Sequence, residues 1–460
     1  MDLAQKPDNS PAQRAEGKPI ATGSTYLQHP IWSLAGLFLA WKLFLFVVVV
    51  NCPGLGYDAS TNLLTVSETD EPVASLARIL KFVRWDSIYF VRIAERNYLF
   101  EQEWAFPYGR VLRSLTSALG RSGRTIHPPE IAVIGILLSH ISHFLSVLAL
   151  FSLSNTVLGH ETSRQRALCF VSAALHVISP AGAFLSAPYG EPVFSCLNLS
   201  GFYVYALAIF AEQTRNYSRR DLYFIVAGVL FAGATLIRGN GILSGSLFAY
   251  DAVQGAISAL TGGLSFGLIR RTVYVVIGGS IIALAMVVPQ YIAFQEYCQT
   301  NPDTVRPWCG RLLPSIYTWV QAHYWNNGFL RYWTISNLPL FLLAAPILSI
   351  MFYSSMVALW GRLGQSSSVC WSHVPQETIL RRSIVVRLAI PQGILAVMAF
   401  TSFHVQIINR ISSGYAVWYW YLASVAFESP SRRAFGVIVQ AMVMYAGIQA
   451  VLYGSFLPPA

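Results

Sequence analysis

The residues able to do chemistry in this chain fall into five short clusters. The first is Lys81-Phe82-Val83-Arg84-Trp85-Asp86-Ser87-Ile88-Tyr89-Phe90-Val91-Arg92-Ile93-Ala94-Glu95-Arg96-Asn97-Tyr98. Apolar residues at 82, 85, 89 and 93 recur at helical spacing and predict an amphipathic helix lying on a membrane surface. Asp86 sits at the apolar border beside Trp85 and Arg84, where a carboxylate is placed to act as general base toward a hydroxyl. The competing reading is a surface aspartate paired with Arg84 or another arginine. Glu95, between Arg92 and Arg96, reads as an ordinary helix-face charge. The second cluster, Ser179 to Pro192, is broken by prolines and glycines and presents Tyr189 and Glu191 in a tight turn. A glutamate there needs a partner; it either caps the helix beginning at Pro192 or contacts substrate.

Third comes Arg238-Gly239-Asn240-Gly241, in which an arginine fork, an amide and room for close backbone approach suit a phosphate. The same residues also read as a snorkelling arginine with a glycine stop. The fourth cluster lies in 295–337: Arg306, Trp308 and Cys309, then Tyr317, Trp319, His323, Tyr324, Trp325, Asn326, Asn327, Phe329, Arg331, Tyr332 and Trp333. Such aromatic density makes either an interfacial belt or a surface that stacks on sugars. The fifth is His404 with Gln406 and Arg410, a better polar site together than any one of them alone.

The elements that must position these groups are membrane spans. Of 460 residues, 54% are hydrophobic and 11% charged, against about a quarter charged in a soluble domain. That composition excludes soluble, disordered and disulfide-stapled secreted classes. Apolar stretches of spanning length occur at 31–52, 131–153, 167–188, 192–211, 222–237, 242–261, 273–294, 338–360, 384–404, 412–427 and 435–457, about eleven in all. The reading is an all-α, polytopic membrane helix bundle: a polar N-terminus (1–30, with Lys6, Arg14 and Lys18), then one transmembrane domain (31–460) with large loops at 53–130 and 295–337. The first span reads as a retained signal-anchor. Lys42 and Asp251 are the notable charges inside spans.

With the N-terminus cytosolic, five short gaps carrying Arg164 and Arg166, Arg215, Arg219 and Arg220, Arg270 and Arg271, Arg362, Arg381 and Arg382, and Arg432 and Arg433 all face the cytosol. The net charge of +10 then reports topology and anionic lipid, not nucleic acid. The sequon at Asn216 falls on the cytosolic side and should carry no glycan. Cys298 and Cys309 share one luminal loop, where they either pair or stay free; Cys169 and Cys196 fall inside spans, and Cys370 is a cytosolic thiol. No nucleotide-binding or zinc motif is present.

All five clusters land on one side of the membrane, pointing to a luminal site for an anionic, amphiphilic substrate. Two classes fit: an enzyme moving a group between lipid-borne substrates, or a lipid transporter or flippase. A transporter calls for inverted repeats and mid-membrane charges, which the chain lacks beyond Lys42 and Asp251.

Several motifs in order carry a further resemblance: Arg84-Trp85-Asp86, Ile93-Ala94-Glu95 and Ala105-Phe106-Pro107; Ser179-Pro180-Ala181 and Tyr189-Gly190-Glu191; Arg238-Gly239-Asn240-Gly241; Arg306-Pro307-Trp308-Cys309 and Tyr324-Trp325-Asn326; His404-Val405-Gln406 and Arg410. Over nearly the whole bundle the chain resembles the family of second mannosyltransferases of glycosylphosphatidylinositol (GPI) anchor assembly. One departure is Gly190, where the family pattern has serine. The resemblance implies a GT-C type glycosyltransferase of the endoplasmic reticulum with luminal amphipathic helices. It would use dolichyl-phosphate-mannose to add an α-1,6 mannose to the GPI precursor glycolipid, in a single inverting displacement. It also implies Asp86 as the base and Arg84, Trp85, Tyr189, Glu191, Arg238, Asn240, Arg306, Trp308, Trp325, Asn326, His404, Gln406 and Arg410 as substrate contacts. Among the arginines, Arg238, Arg306 and Arg410 are the phosphate candidates. No metal or cofactor beyond the donor is implied; a small accessory membrane subunit is. Another dolichyl-phosphate-sugar-dependent transferase is the nearest alternative.

Overall fold

The structure, a computed structural model, describes residues 25–53, 58, 60–64, 78–105, 107–119, 127–299, 306–361, 363, 375–428 and 431–458. Lys6, Arg14, Lys18, Phe106, Arg362 and Cys370 lie outside the described residues. Within them the chain is helical and has no strand.

The longer helices are α1 (Pro30–Asn51), α2 (Asp86–Arg96), α3 (Tyr108–Leu119), α4 (Pro128–Leu158), α5 (Ser163–Val177), α6 (Gly190–Gln213), α7 (Tyr217–Ile237), α8 (Gly245–Gly262), α9 (Phe266–Phe294), α10 (Ile316–His323), α11 (Leu338–Leu359), α12 (Gln376–Thr401), α14 (Val417–Val425) and α15 (Arg432–Gly454), with the single turn α13 (Ile408–Ile411) between α12 and α14. Eight of the described helices are long and apolar enough to cross a membrane: α1, α4, α6, α7, α9, α11, α12 and α15. Three of the expected spans do not qualify. The stretch 167–188 ends as a helix at Val177 and becomes a buried turn with a 3-10 segment at Gly182–Leu185. The 412–427 stretch yields only the nine-residue α14, buried in the protein. At 242–261, α8 starts after a 3-10 segment, Gly239–Ser244, and its 18 residues fall short in apolarity. Prolines and glycines of the second cluster cut 167–188, and the glycines of the third precede the late start of α8.

The interior is one apolar core that runs from α1 to α15, with a small second core of Trp104, Ala293, Trp308, Ile316 and Val320 outside it. Outward faces keep Leu39, Leu43, Leu137, Ile141, Val229 and Leu342 exposed, as lipid-facing surface requires. At one end of the bundle, helices α6, α7, α8, α9 and α12 are joined by buried ion pairs. Asp221 holds Arg220 at 2.7 Å and Arg270 at 2.6 Å, and Asp251 accepts Tyr205 at 2.7 Å, Arg271 at 3.0 Å and Arg387 at 3.4 Å. Asp251 is therefore paired, as a charge at that depth must be. Lys42 is satisfied too: its Nζ donates to the Leu185 carbonyl (2.7 Å) and the Ser186 hydroxyl (2.9 Å). It thereby fastens the 182–186 turn to α1.

Candidate active site

Asp86 reaches its place through a backbone reversal. Trp85 adopts φ 55° and ψ −130°, a region costly for a residue with a Cβ, and α2 begins only at Asp86. The continuous helix expected from Lys81 onward is thus corrected, and so is its apolar stripe. Ser87, Phe90, Val91 and Ala94 face inward with Ile93, whereas Tyr89 is exposed. Neighbouring backbone is held by Tyr453 of α15, which donates to the Phe82 carbonyl (2.9 Å) and accepts from Arg84 N–H (3.3 Å). Tyr189 donates to the Arg84 carbonyl at 3.0 Å. As the first residue of a helix, Asp86 points its carboxylate where the peptide dipoles favour negative charge.

Around Asp86 stand three charged side chains from other helices. Arg238, closing α7, meets Glu191 at 2.7 Å; Arg410 of α13 lies 3.7 Å from both Glu191 and Asp86. Glu191 is wholly buried in the first turn of α6 and makes no side-chain capping bond. Its place in the first turn is the favoured one for a carboxylate at a helix start, but its oxygens make no capping hydrogen bond and it is not among the cavity-lining residues; it anchors the two arginines. The Arg410 guanidinium rests on the Phe184 ring, 4.4 Å from its centroid, and Phe184 stands edge-on to Tyr189. The turn fastened by Lys42 is thus the floor of the site.

Asp86, Arg238 and Arg410 open onto a cavity of about 250 Å³, which Phe90, Gly190, Ile237, Gly239, Asn240, Tyr317, Gln321, Trp325, Asn327, Phe403, His404, Ile407 and Ile411 also line. His404 Nε2 donates to the Trp325 carbonyl at 2.6 Å, and its ring stacks on Tyr332. The carbonyl only accepts, so Nε2 carries the proton. Gly239 is required by closeness: a Cβ there would sit 2.5 Å from the Tyr317 hydroxyl oxygen. At Gly190 a Cβ would sit 3.2 Å from Ile237 Cγ2, so a serine fits once that side chain gives slightly.

Six of the expected residues are thus brought together: Asp86, Arg238, Asn240, Trp325, His404 and Arg410. Others are not. Arg84 turns away to Thr61 (2.6 Å) and the Phe456 ring, so it is not Asp86's partner. Trp85 packs edge-on against Phe456, Tyr189 is buried beneath the floor, and Gln406 stays off the cavity. Trp308 belongs to the second core and Arg306 lies at its edge, and both bind Glu101, at 2.7 Å and 3.2 Å. That core leans on the disulfide between Cys298 and Cys309. Asn326 is exposed at φ 50°, and its neighbour Asn327 takes the cavity position. Tyr317 of the aromatic cluster and Gln321, which no cluster included, also line the cavity; their spacing of four on one helix, after the Ser315 cap, puts them on one face.

Burial pushes the Asp86 carboxyl above the ordinary carboxylate range, with Glu191 adding to the shift, while Arg410 and Arg238 pull it down. Burial holds His404 below the usual imidazole value, and Arg410 contributes. Among the described residues no group of three His, Cys, Asp or Glu side chains is placed to hold a metal ion.

Fold and site together define a polytopic membrane protein whose polar cavity, carrying one carboxylate and two arginines, opens where several helices end. The family model described as Mannosyltransferase (PIG-V) matches residues 43–460. This chain belongs to that family and is a mannosyltransferase. It is 47% identical over 450 residues to a protein of Aspergillus oryzae named GPI mannosyltransferase 2, covering 94% of this chain and 96% of that one. The Aspergillus fumigatus protein of the same name is 47% identical over 448 residues, covering 94% of each chain. The Schizosaccharomyces pombe one is 32% identical over 397 residues, covering 83% of this chain and 74% of its own. Among solved structures, an oligosaccharyltransferase of Archaeoglobus fulgidus is similar at a TM-score of 0.46 and 12% identity. The match covers 94% of this chain and 56% of that protein, so the chain spans about half its length.

Proposed function

We propose that this mannosyltransferase adds the second mannose, in α-1,6 linkage, to the mannosylated glucosaminyl-phosphatidylinositol intermediate of GPI-anchor assembly, with dolichyl-phosphate-mannose as donor. The observation that carries the reading is Asp86 held 3.7 Å from Arg410 in one cavity, in a chain 47% identical to proteins named for that step. We place the cavity on the luminal face of the endoplasmic reticulum membrane and the N-terminus in the cytosol, following the arginine-rich short gaps. A GT-C architecture and a small accessory membrane subunit, which co-purification would reveal, belong to the same proposal. It routes no step through a metal or cofactor.

In this reading Asp86 accepts the proton of the acceptor's 6-hydroxyl as that oxygen attacks C1 of the donor mannose. The C1–O bond to phosphate breaks from the opposite face, so a β-linked donor gives an α-linked product, and dolichyl phosphate leaves with the bonding pair. Charge moves but does not accumulate. The donor phosphodiester and Asp86 carry one negative charge each before reaction; afterwards Asp86 is neutral and the leaving phosphate carries two. Arg410, already against Asp86, is released by that protonation and becomes free for the phosphate as its charge develops. Arg238 is the second phosphate contact, anchored on Glu191.

The test is Asp86→Asn in cells and in membranes. The amide keeps the shape and removes the base, so the protein should be inserted and expressed while the one-mannose intermediate accumulates. Near-normal mannose addition would sink the assignment.

A further inference from the structure

Of the three side-chain amides lining the cavity, Asn240 donates to the Tyr415 hydroxyl, and the other two have no use in the displacement above. Gln321, on α10, and Asn327, in the loop that follows, line it together with Asp86. Asn327 Nδ2 donates to Gln321 Oε1, and the Asn327 N–H donates to the Gln321 carbonyl at 2.8 Å. Asn327 Oδ1 is buried without a hydrogen-bond partner, and Gln321 Nε2 makes no hydrogen bond among the described residues. A buried amide oxygen lacking a partner is a cost the fold carries unless a ligand meets it. Turning both amides over exchanges the roles and still leaves the pair with one uncommitted donor and one uncommitted acceptor beside the cavity.

This pair is held stiffly. The Gly328 N–H donates to the Ser402 carbonyl at 3.0 Å and the Leu330 N–H to the Thr401 carbonyl at 2.6 Å, tying the loop to the end of α12. His404 ties Trp325 from the same side. Asn326 and Leu330, on either side, both take positive φ, at 50° and 56°. Leucine gains nothing from that region, so strain is retained where the loop must hold one shape.

We infer that Gln321 and Asn327 read the hydroxyls of a mannosyl ring in the cavity. Each sugar hydroxyl gives one proton and accepts another, which an adjacent amide donor and acceptor matches. A guanidinium only donates and an ionised carboxylate only accepts, so neither alone offers that combination, and in the displacement above both are committed to phosphate and proton. A wall built to bond a hydroxyl rejects a sugar lacking it far more strongly than an apolar wall does. The inference rests on the mannosyl transfer proposed above, and both donor and acceptor carry a mannose that this pair would recognise.

The experiment is a cycle between side chain and substrate hydroxyl, using the full chain in proteoliposomes. Wild type, Asn327→Ala and Gln321→Ala are assayed with dolichyl-phosphate-mannose and its 2-, 3- and 4-monodeoxy analogues, then with the acceptor glycolipid and its monodeoxy forms. In wild type at least one deoxy substrate should lose about tenfold or more in kcat/KM, and in the variants that penalty should shrink to near unity. Loss of the penalty in the donor arm assigns the pair to the donor ring, and in the acceptor arm to the acceptor ring. Should Asn327→Ala fail to fold, Gln321→Ala and Gln321→Glu read the same coupling. Deoxy penalties unchanged by the variants in both arms overturn the inference alone. A wild-type protein that transfers no mannose from the intact donor, even when reconstituted together with any subunit that co-purifies with it, overturns the proposed function, and this inference with it.

Discussion

Asp86 is under opposing influences, and their balance sets how the site answers to pH. Burial raises its carboxyl above the usual range against the pull of Arg410 and Arg238. A base works only when ionised, so transfer should fall on acidification around a midpoint above that of an ordinary aspartate; a rate profile flat down to the ordinary range would contradict this. The stability consequence has the opposite sense. A folded-state value raised above the unfolded one contributes stability at low pH that is lost as pH rises through the folded value. At neutral pH the Asp86→Asn protein should therefore be at least as heat-stable as wild type, read by thermal unfolding in detergent. Asp86, Arg238 and Arg410 were legible because a charge in an apolar chain needs a reason. Gln321 was not, since an uncharged amide in an aromatic loop carries no such signal, and Asn327, though part of the aromatic cluster, was passed over for Asn326 because nothing local decides which of two adjacent asparagines takes the left-handed turn.

At the scale of elements, the Glu191–Arg238 contact joins the start of α6 to the end of α7. Removing Arg238 leaves the buried Glu191 with only the longer contact to Arg410 at 3.7 Å, which costs stability, whereas replacing both members of a buried pair by apolar groups of similar volume is often neutral. Arg238→Ala should therefore lower both thermal stability and use of the donor. The double variant Glu191→Leu, Arg238→Met should recover stability and not activity. Recovery of activity with stability would remove Arg238 from the phosphate site. Element boundaries were the poorest part of the sequence reading for a related reason. Hydropathy sees that 167–188 and 412–427 are apolar, but a buried turn and a short core helix are as apolar as a span.

For the whole molecule, orientation follows from charge and is testable at one residue. Asn216 accepts from the Arg219 N–H and begins α7 among arginines. If that end is cytosolic, Asn216 carries no glycan in cells, as a glycosidase mobility shift or mass spectrometry of the purified protein would report; a glycan there reverses the topology. The all-helical bundle was legible from composition and spans, whereas the meeting of clusters hundreds of residues apart needed the fold. Tyr453 shows what such long-range closure entails. Every residue lining the cavity precedes position 412, yet the backbone that aims Asp86 is clasped by a hydroxyl at 453. Asp86 thus stands early in the chain while one of the groups that holds its neighbouring backbone stands near the end. A chain ending after Ile411 would keep every cavity-lining residue and lack the Tyr453 clasp on the backbone beside Asp86.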